Sequence, residues 1–409
     1  MQGQIRPFFY RAMCLFTTAF LSTVAMSASA ADYNVQEHSV LLGKSYELRS
    51  LGGFRLKDGT SGTSRAAYGT GKIAVSDDDK MLFLAGHAHH FSVGAFDIED
   101  KLSFGKISTL PIAPVAQPFV KVKPQFVFQD SATQITGLEL NEGSLLVTVD
   151  KYYDAARTNK ENLMFFADAS NLNDTAQIGF YTLAARSHAT GWMTKIPAPL
   201  SQTLGADYLV GSASNLPINS RSSIGPTLFT WTPPTVKALP PLGRRISTVK
   251  KLGYSLDNPI VDDRYNETRE NDIWTELSTA EIGFISPDQT SYIVIGQSGG
   301  HNSGIGYKIT QDNGNVCGGP CAYEHDDYYN YYWIYDIDDI IAVQNGNKLP
   351  HEVLPAFYGE LPTFGHQNTI TGADYNPVSK RLYLTLSSID TSQSDYEKNP
   401  IIVAYEFVE

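Results

Sequence analysis

The stretch Ile282-Gly283-Phe284-Ile285, a polar turn from Ser286 to Thr290, Ser291-Tyr292-Ile293-Val294-Ile295, and later Tyr331-Tyr332-Trp333-Ile334-Tyr335-Asp336-Ile337 carries the reading of the fold. Short runs of β-branched and aromatic residues bounded by Gly, Asp, Asn and Ser are the signature of strands joined by turns. The same order recurs along the chain. Lys72 to Val75, a turn from Ser76 to Lys80, Met81 to Ala85 and then Val93 to Ile98 form one copy. Ile135 to Leu140, the turn Asn141-Glu142-Gly143, Ser144 to Val149 and then Leu163 to Ala167 form another. Ile370 to Tyr375, a turn from Asn376 to Lys380, Arg381 to Leu386 and finally Ile401 to Phe407 close the chain. Little of the remainder reads as amphipathic helix.

Repetition at several tens of residues per unit predicts an all-β fold of the β-propeller type. A two-domain β-sandwich is the alternative. The first thirty residues are set apart. Arg6 and Arg11 precede an apolar run from Met13 to Met26, which ends in Ser27-Ala28-Ser29-Ala30-Ala31. A positive start, a short apolar stretch and a small-residue exit describe a secretory signal peptide over residues 1–31. The run is short for a membrane span, which needs about 20 apolar residues. Cleavage leaves about 379 residues as one domain over 32–409. Seven blades of about 54 residues each would use that length, and five or six blades with long insertions would also fit it. The mature chain is expected in the periplasm or the medium, with no membrane contact, as a monomer.

The chain has 31 Lys and Arg against 43 Asp and Glu, a formal charge of −12. Losing Arg6 and Arg11 moves it to −14. That excess of acid excludes nucleic acid as a natural partner, since phosphate binding needs clustered Lys and Arg. It leaves room for an acidic substrate only in a locally basic cleft.

Of three cysteines, Cys317 and Cys321 survive cleavage, in Cys317-Gly318-Gly319-Pro320-Cys321. His301 stands sixteen residues before Cys317, and His325 four after Cys321. Two thiolates and two imidazoles make a closed tetrahedral set suited to a structural zinc ion. A Cys317–Cys321 disulfide is the competing reading, favoured by export. Gly296-Gln297-Ser298-Gly299-Gly300 matches the pattern of a serine nucleophile, but the residues after it do not favour the helix that such an elbow requires. Asp77-Asp78-Asp79 lacks the ligand spacing of a calcium loop and reads as a solvated turn.

Polar clusters follow several strands. Gly86-His87-Ala88-His89-His90 carries three of only nine histidines. Asp150-Lys151-Tyr152-Tyr153-Asp154, Arg186-Ser187-His188 and Ser220-Arg221-Ser222 also stand beside strands. Strand-end residues of successive blades can converge on one end of a propeller. His, Tyr and Arg together suit β-elimination on a uronate polysaccharide. Arg or His neutralises the carboxylate, a His or Tyr removes the C5 proton, and another protonates the departing oxygen. A glycoside hydrolase would need two carboxylates across the bond, and no such pair stands out.

With these motifs the chain resembles the secreted seven-bladed propeller lyases that cleave ulvan, and their uncharacterised propeller relatives. The resemblance covers most of the mature chain as a blade pattern. It rests on Gly86 to His90, Tyr152-Tyr153, Arg186-Ser187-His188, Ser223-Ile224-Gly225-Pro226 and the His301/Cys317/Cys321/His325 set. It implies a structural zinc ion on those four residues. It also implies His87 or His89 and Tyr152 or Tyr153 as acid and base, and Arg186 as carboxylate neutraliser. His188 and Arg221 would contact an anionic polysaccharide. Tyr68 stands where a second histidine would be sought. The alternative is a non-catalytic secreted propeller that binds glycan or protein.

Overall fold

The computed structural model describes residues 33–122, 134–151, 153–154, 159, 162–212, 223–364, 369–394 and 396–408. The predicted signal peptide lies outside the described residues, as do Tyr152 and Arg221.

Five sheets, each built on four antiparallel strands, form five propeller blades, and two of them carry further edge strands. Blade 1 runs Ile73–Val75, Met81–Ala85, Ser92–Asp97 and Val115–Lys121. Blade 2 runs Gln134–Asn141, Ser144–Asp150, Leu163–Phe166 and Gln177–Leu183. Blade 3 runs Met193–Lys195, Tyr208–Val210, Leu228–Trp231 and Val249–Leu252. Blade 4 runs Thr279–Ile285, Ser291–Gly299, Tyr328–Asp336 and Phe357–Glu360. Blade 5 takes Ile370–Asn376, Arg381–Asp390 and Asn399–Val408 from the end of the chain, and its outer strand, Tyr46–Leu56, from the beginning. Pairings such as Ile402 with Phe54 and Glu406 with Arg49 therefore join the two ends of the domain.

The first strands of the blades pack side by side in a closed ring, each against the next and the fifth against the first. Five apolar clusters fill the five gaps between blades. Ala74 and Phe83 meet Leu138 and Val147 between blades 1 and 2, for example, and Tyr292 and Trp333 meet Leu209 and Leu252 between blades 3 and 4. Because neighbouring blades cover both faces, the middle strands read as continuous apolar runs instead of alternating ones.

The count is five blades, not the seven first expected, and the five carry long insertions. The four copies legible in the sequence are the first three strands of blades 1, 2, 4 and 5. Their units are longer than about 54 residues because loops carry extra elements. Blade 4 alone holds the hairpin Ile305–Tyr307/Pro320–Ala322 and the helix Ile337–Gln344.

That helix rests on the outer strand of blade 3 and buries Lys251 completely, with its ammonium on the Gln344 side-chain carbonyl. Burial pushes the Lys251 pKa down to about 8. Among the described residues no carboxylate forms an ion pair with it. Between pH 8 and the ordinary lysine value the unfolded chain binds the extra proton, so stability should rise with pH there. Lys251→Met is expected to stabilise the fold by about 1–3 kcal/mol at pH 7. The gain should shrink above pH 8, as read by urea denaturation across the pH range.

Candidate functional site at the loop end of the propeller

Alternating strand direction sends every second-to-third-strand loop, and every connection between blades, to the end where the first strands begin. The described residues of the loops 86–91, 151–162, 211–227, 300–327 and 391–398 therefore share one end with those of the connections 57–72, 184–192, 253–278 and 361–369. The described candidates named from the sequence map to this end. So do five of the six exposed tyrosines among the described residues: Tyr68, Tyr153, Tyr307, Tyr323 and Tyr396. The sixth, Tyr358, lies on the outer strand of blade 4.

The histidine loop packs onto the connection into blade 1 through the bridge between Gly69 and His87. The His87 backbone N–H donates to the Arg65 carbonyl at 2.9 Å and to Ser64 Oγ at 3.0 Å. The His87 ring stacks on His90 at 4.3 Å and is flanked by Tyr68 at 5.5 Å and His89 at 5.6 Å, centroid to centroid. The Arg65 guanidinium lies 5.6 Å from the Tyr68 ring centroid and pairs with Glu397 at 2.7 Å. Tyr68 donates its hydroxyl to the Tyr396 carbonyl. Burial lowers the His87 pKa, and His90, Arg65 and His89 lower it further, against the opposing pull of Glu397. The balance favours the neutral ring. The His89 backbone N–H donates to His87 Nδ1 at 3.2 Å, which puts the proton of the neutral ring on Nε2, facing outward as a donor.

Arg65 and Glu397 do not stand out in the sequence, and Tyr68 does so only as the residue found where a second histidine would be sought. The signal for Tyr68 is its left-handed backbone (φ 57°), uncommon for a tyrosine. Tyr153 is exposed on the blade 2 loop. Arg186, also left-handed at φ 53°, opens the short turn Arg186–Ala189 that leads into blade 3. The His188 carbonyl in that turn accepts from Thr227 Oγ1 at 2.7 Å. The structure thus brings Arg65 and Tyr68 to His87.

Asp150 ends the second strand of blade 2 and is buried. Its Oδ1 accepts from Asn159 Nδ2 and from the Lys151 backbone N–H, each at 2.8 Å. Burial nevertheless raises its pKa to about 6. A raised carboxyl pKa contributes stability below its unfolded value, lost as pH rises through 6. Asp150→Asn is expected to stabilise the protein by about 2 kcal/mol at pH 7 and by nothing at pH 4, measured by denaturation at both values.

Inside the ring, a cavity of about 310 Å³ is lined by all five blades, with Lys72, Thr136, Trp192, Glu281 and Thr371 contributing one each. Three of these residues occupy the same structural position. Thr136, Glu281 and Thr371 are each the extra residue of a β-bulge near the start of the first strands of blades 2, 4 and 5. A bulge re-aims a side chain. Lys72 pairs with Glu281 and donates to the Thr371 carbonyl at 2.7 Å. The repeated Ile-Thr-Gly at Ile135-Thr136-Gly137 and Ile370-Thr371-Gly372 is the sequence signal for two of these bulges.

The residues expected to hold zinc do not fit it. Cys317 and Cys321 form a disulfide. His301 is buried, with Nε2 on Ser298 Oγ at 2.7 Å and Nδ1 on the Asn271 carbonyl at 2.9 Å. His325 is exposed and holds Asp312 at 3.1 Å. The local spacing of the four is real, but their donor atoms are committed elsewhere. Ser298, of the Gly-x-Ser-x-Gly run, hydrogen-bonds to Ser278 at 2.7 Å as well as to His301, inside a strand and not at an elbow.

No protein-family model matches the chain, and no curated protein matches it. Among solved structures it is similar to an endo-arabinase from Bacteroides thetaiotaomicron, at 9% identity and a TM-score of 0.40 over 85% of this chain and 96% of that one. It is similar to a luciferin-regenerating enzyme at 8% identity and a TM-score of 0.35, over 85% and 92% of the two chains. A Bacteroides thetaiotaomicron protein of unknown function gives 10% identity and a TM-score of 0.36, over 92% and 71%. Likeness at this level says nothing about chemistry. The class the chain itself defines is a five-bladed β-propeller with an aromatic, histidine-bearing loop end.

Proposed function

We propose that the protein is an exported lyase that cleaves a uronate-containing, ulvan-like polysaccharide at the loop end of its propeller. The observation that carries this reading is the Arg65–Tyr68–His87–His89 cluster, which sets the residue types needed for β-elimination side by side. The exposed tyrosines of the same end offer apolar ring faces with polar tips, suited to sugar rings. The disulfide supports an oxidising compartment, and with it the signal peptide.

In the proposed reaction the substrate carboxylate replaces Glu397 on Arg65 and accepts from the neutral His87 Nε2–H. Charge that develops on the carboxylate is held there. His89, exposed and adjacent, takes the C5 proton. The electron pair of that C–H bond forms the C4=C5 double bond, the bond from C4 to the glycosidic oxygen breaks, and the Tyr68 hydroxyl protonates the departing oxygen. Arg65, Lys151 and Arg186 supply local positive charge on a chain that is acidic overall.

The test is incubation with ulvan and other uronate polymers, read by ultraviolet absorbance of the unsaturated product. A rise supports the reading. Its absence with every polymer defeats it. Binding without a rise would leave the second reading, a non-catalytic glycan platform, which the Arg65–Glu397 ion pair favours because the cation is already matched.

A further inference from the structure

We propose that Glu397 is an internal competitor: its carboxylate occupies the anion position on Arg65, keeps free uronic acids off it and displaces the product carboxylate after each turnover. The inference rests on the loop-end reading, in which Arg65 receives the substrate carboxylate. Two groups that the reaction uses, both on the connection into blade 1, are taken by adjacent residues of the blade 5 loop. Arg65 Nη1 pairs with Glu397 Oε1 at 2.7 Å, and the Tyr68 hydroxyl donates to the Tyr396 carbonyl. Glu397 is itself held on both sides of its α-carbon. Its backbone N–H donates to Ser394 Oγ at 2.8 Å, and its carbonyl accepts from Gln393 Nε2 at 2.6 Å. The loop therefore presents the carboxylate to Arg65 from a fixed point.

A carboxylate carried on the fold competes at an effective concentration of about 1 mM or more, as tethered partners do. Every ligand that needs Arg65 must first break the Arg65–Glu397 pair, so all are weakened by one common factor. A free uronic acid has little else to bind with and drops out of range. A polymer tolerates the same factor, because its other rings can rest on tyrosines such as Tyr396, which is 87% exposed. The unsaturated product keeps the carboxylate of its parent, and an uncontested Arg65 would retain it. The pair suits a contact made and broken in each cycle. Its side chains are 32% and 34% exposed, and ion pairs so placed contribute little to stability. Because Tyr396 and Glu397 are consecutive, one short segment holds both the cation and the Tyr68 hydroxyl between turnovers.

The experiment is calorimetric titration of the mature protein with D-glucuronate, and with D-glucose as the neutral control. Glu397→Gln should bind D-glucuronate about tenfold or more tightly than the unaltered protein does, with D-glucose treated alike by both. The gain should vanish when Arg65→Ala is added to Glu397→Gln, since the competition is for that guanidinium. Ser394→Ala loosens the loop without touching the ion pair and should tighten D-glucuronate by about threefold. That second variant decides the matter if Glu397→Gln does not fold. The inference is overturned if Glu397→Gln leaves D-glucuronate binding unchanged or weakens it, or if the gain survives Arg65→Ala. It is also overturned if D-glucose gains as much as D-glucuronate. Tighter D-glucuronate binding by Glu397→Gln, with no cleavage of any polymer, would defeat the lyase reading and leave the competition standing. Polymer cleavage with D-glucuronate binding unchanged by Glu397→Gln would do the reverse.

Discussion

Tyr68→Phe is expected to lower the rate of unsaturated-product formation on a uronate polymer by about 10²–10⁴-fold, with little change in KM. The variant keeps the ring that packs against His87 and under Arg65 and removes only the hydroxyl assigned to the departing oxygen. An interaction made only in the transition state appears in kcat and kcat/KM together. His89→Ala should cost a similar factor through loss of the base. Arg65→Ala should raise KM as well, because the carboxylate is bound before it reacts. Arg186→Ala and Tyr153→Phe, on other loops of the same end, should change KM by a few-fold and leave kcat nearly constant. If Arg186→Ala abolished turnover while Tyr68→Phe did not, the reacting carbon would lie on the blade 2–3 side and the His87 assignment would be wrong.

The contrast between these two sets shows where sequence reading stops. His87, His89 and His90 are neighbours in the chain, so their grouping at a strand end is visible without a structure. Arg65 and Tyr68 reach them through the Gly69–His87 bridge, which joins two loops, and no local spacing reports that contact. The spacing of His301, Cys317, Cys321 and His325 has the same limit. His301 precedes the cysteines at a plausible interval, but its ring turns to the Asn271 carbonyl, thirty residues earlier. For the fold, blades 1, 2, 4 and 5 are legible because their middle strands are long apolar runs covered on both faces. Blade 3 is not, since Met193–Lys195 and Tyr208–Val210 have only three residues each. With that blade unseen, length divided by a usual repeat overcounted.

Gly372→Ala is expected to destabilise the propeller by about 3 kcal/mol or more, and Gly137→Ala to do the same. Both glycines follow the bulged threonine of an Ile-Thr-Gly run, where the first strand of one blade meets the backbone of the next. A Cβ on Gly372 would lie 2.1 Å from the Gly71 carbonyl oxygen, and one on Gly137 would lie 2.0 Å from that of Gly191. Those contacts are backbone on backbone, so no flexible side chain can yield. The Gly191 carbonyl is also held by Thr148 Oγ1 at 2.7 Å, which opposes its retreat. Relief requires one first strand to move away from its neighbour, and in a closed ring that displacement is passed to the other blades. The matched control is Gly318→Ala, where the added carbon meets nothing within 4 Å; it should change stability by no more than about 0.5 kcal/mol. Urea denaturation of the three variants tests the point, and a Gly372→Ala protein as stable as the control would mean that the blades are not held at this separation.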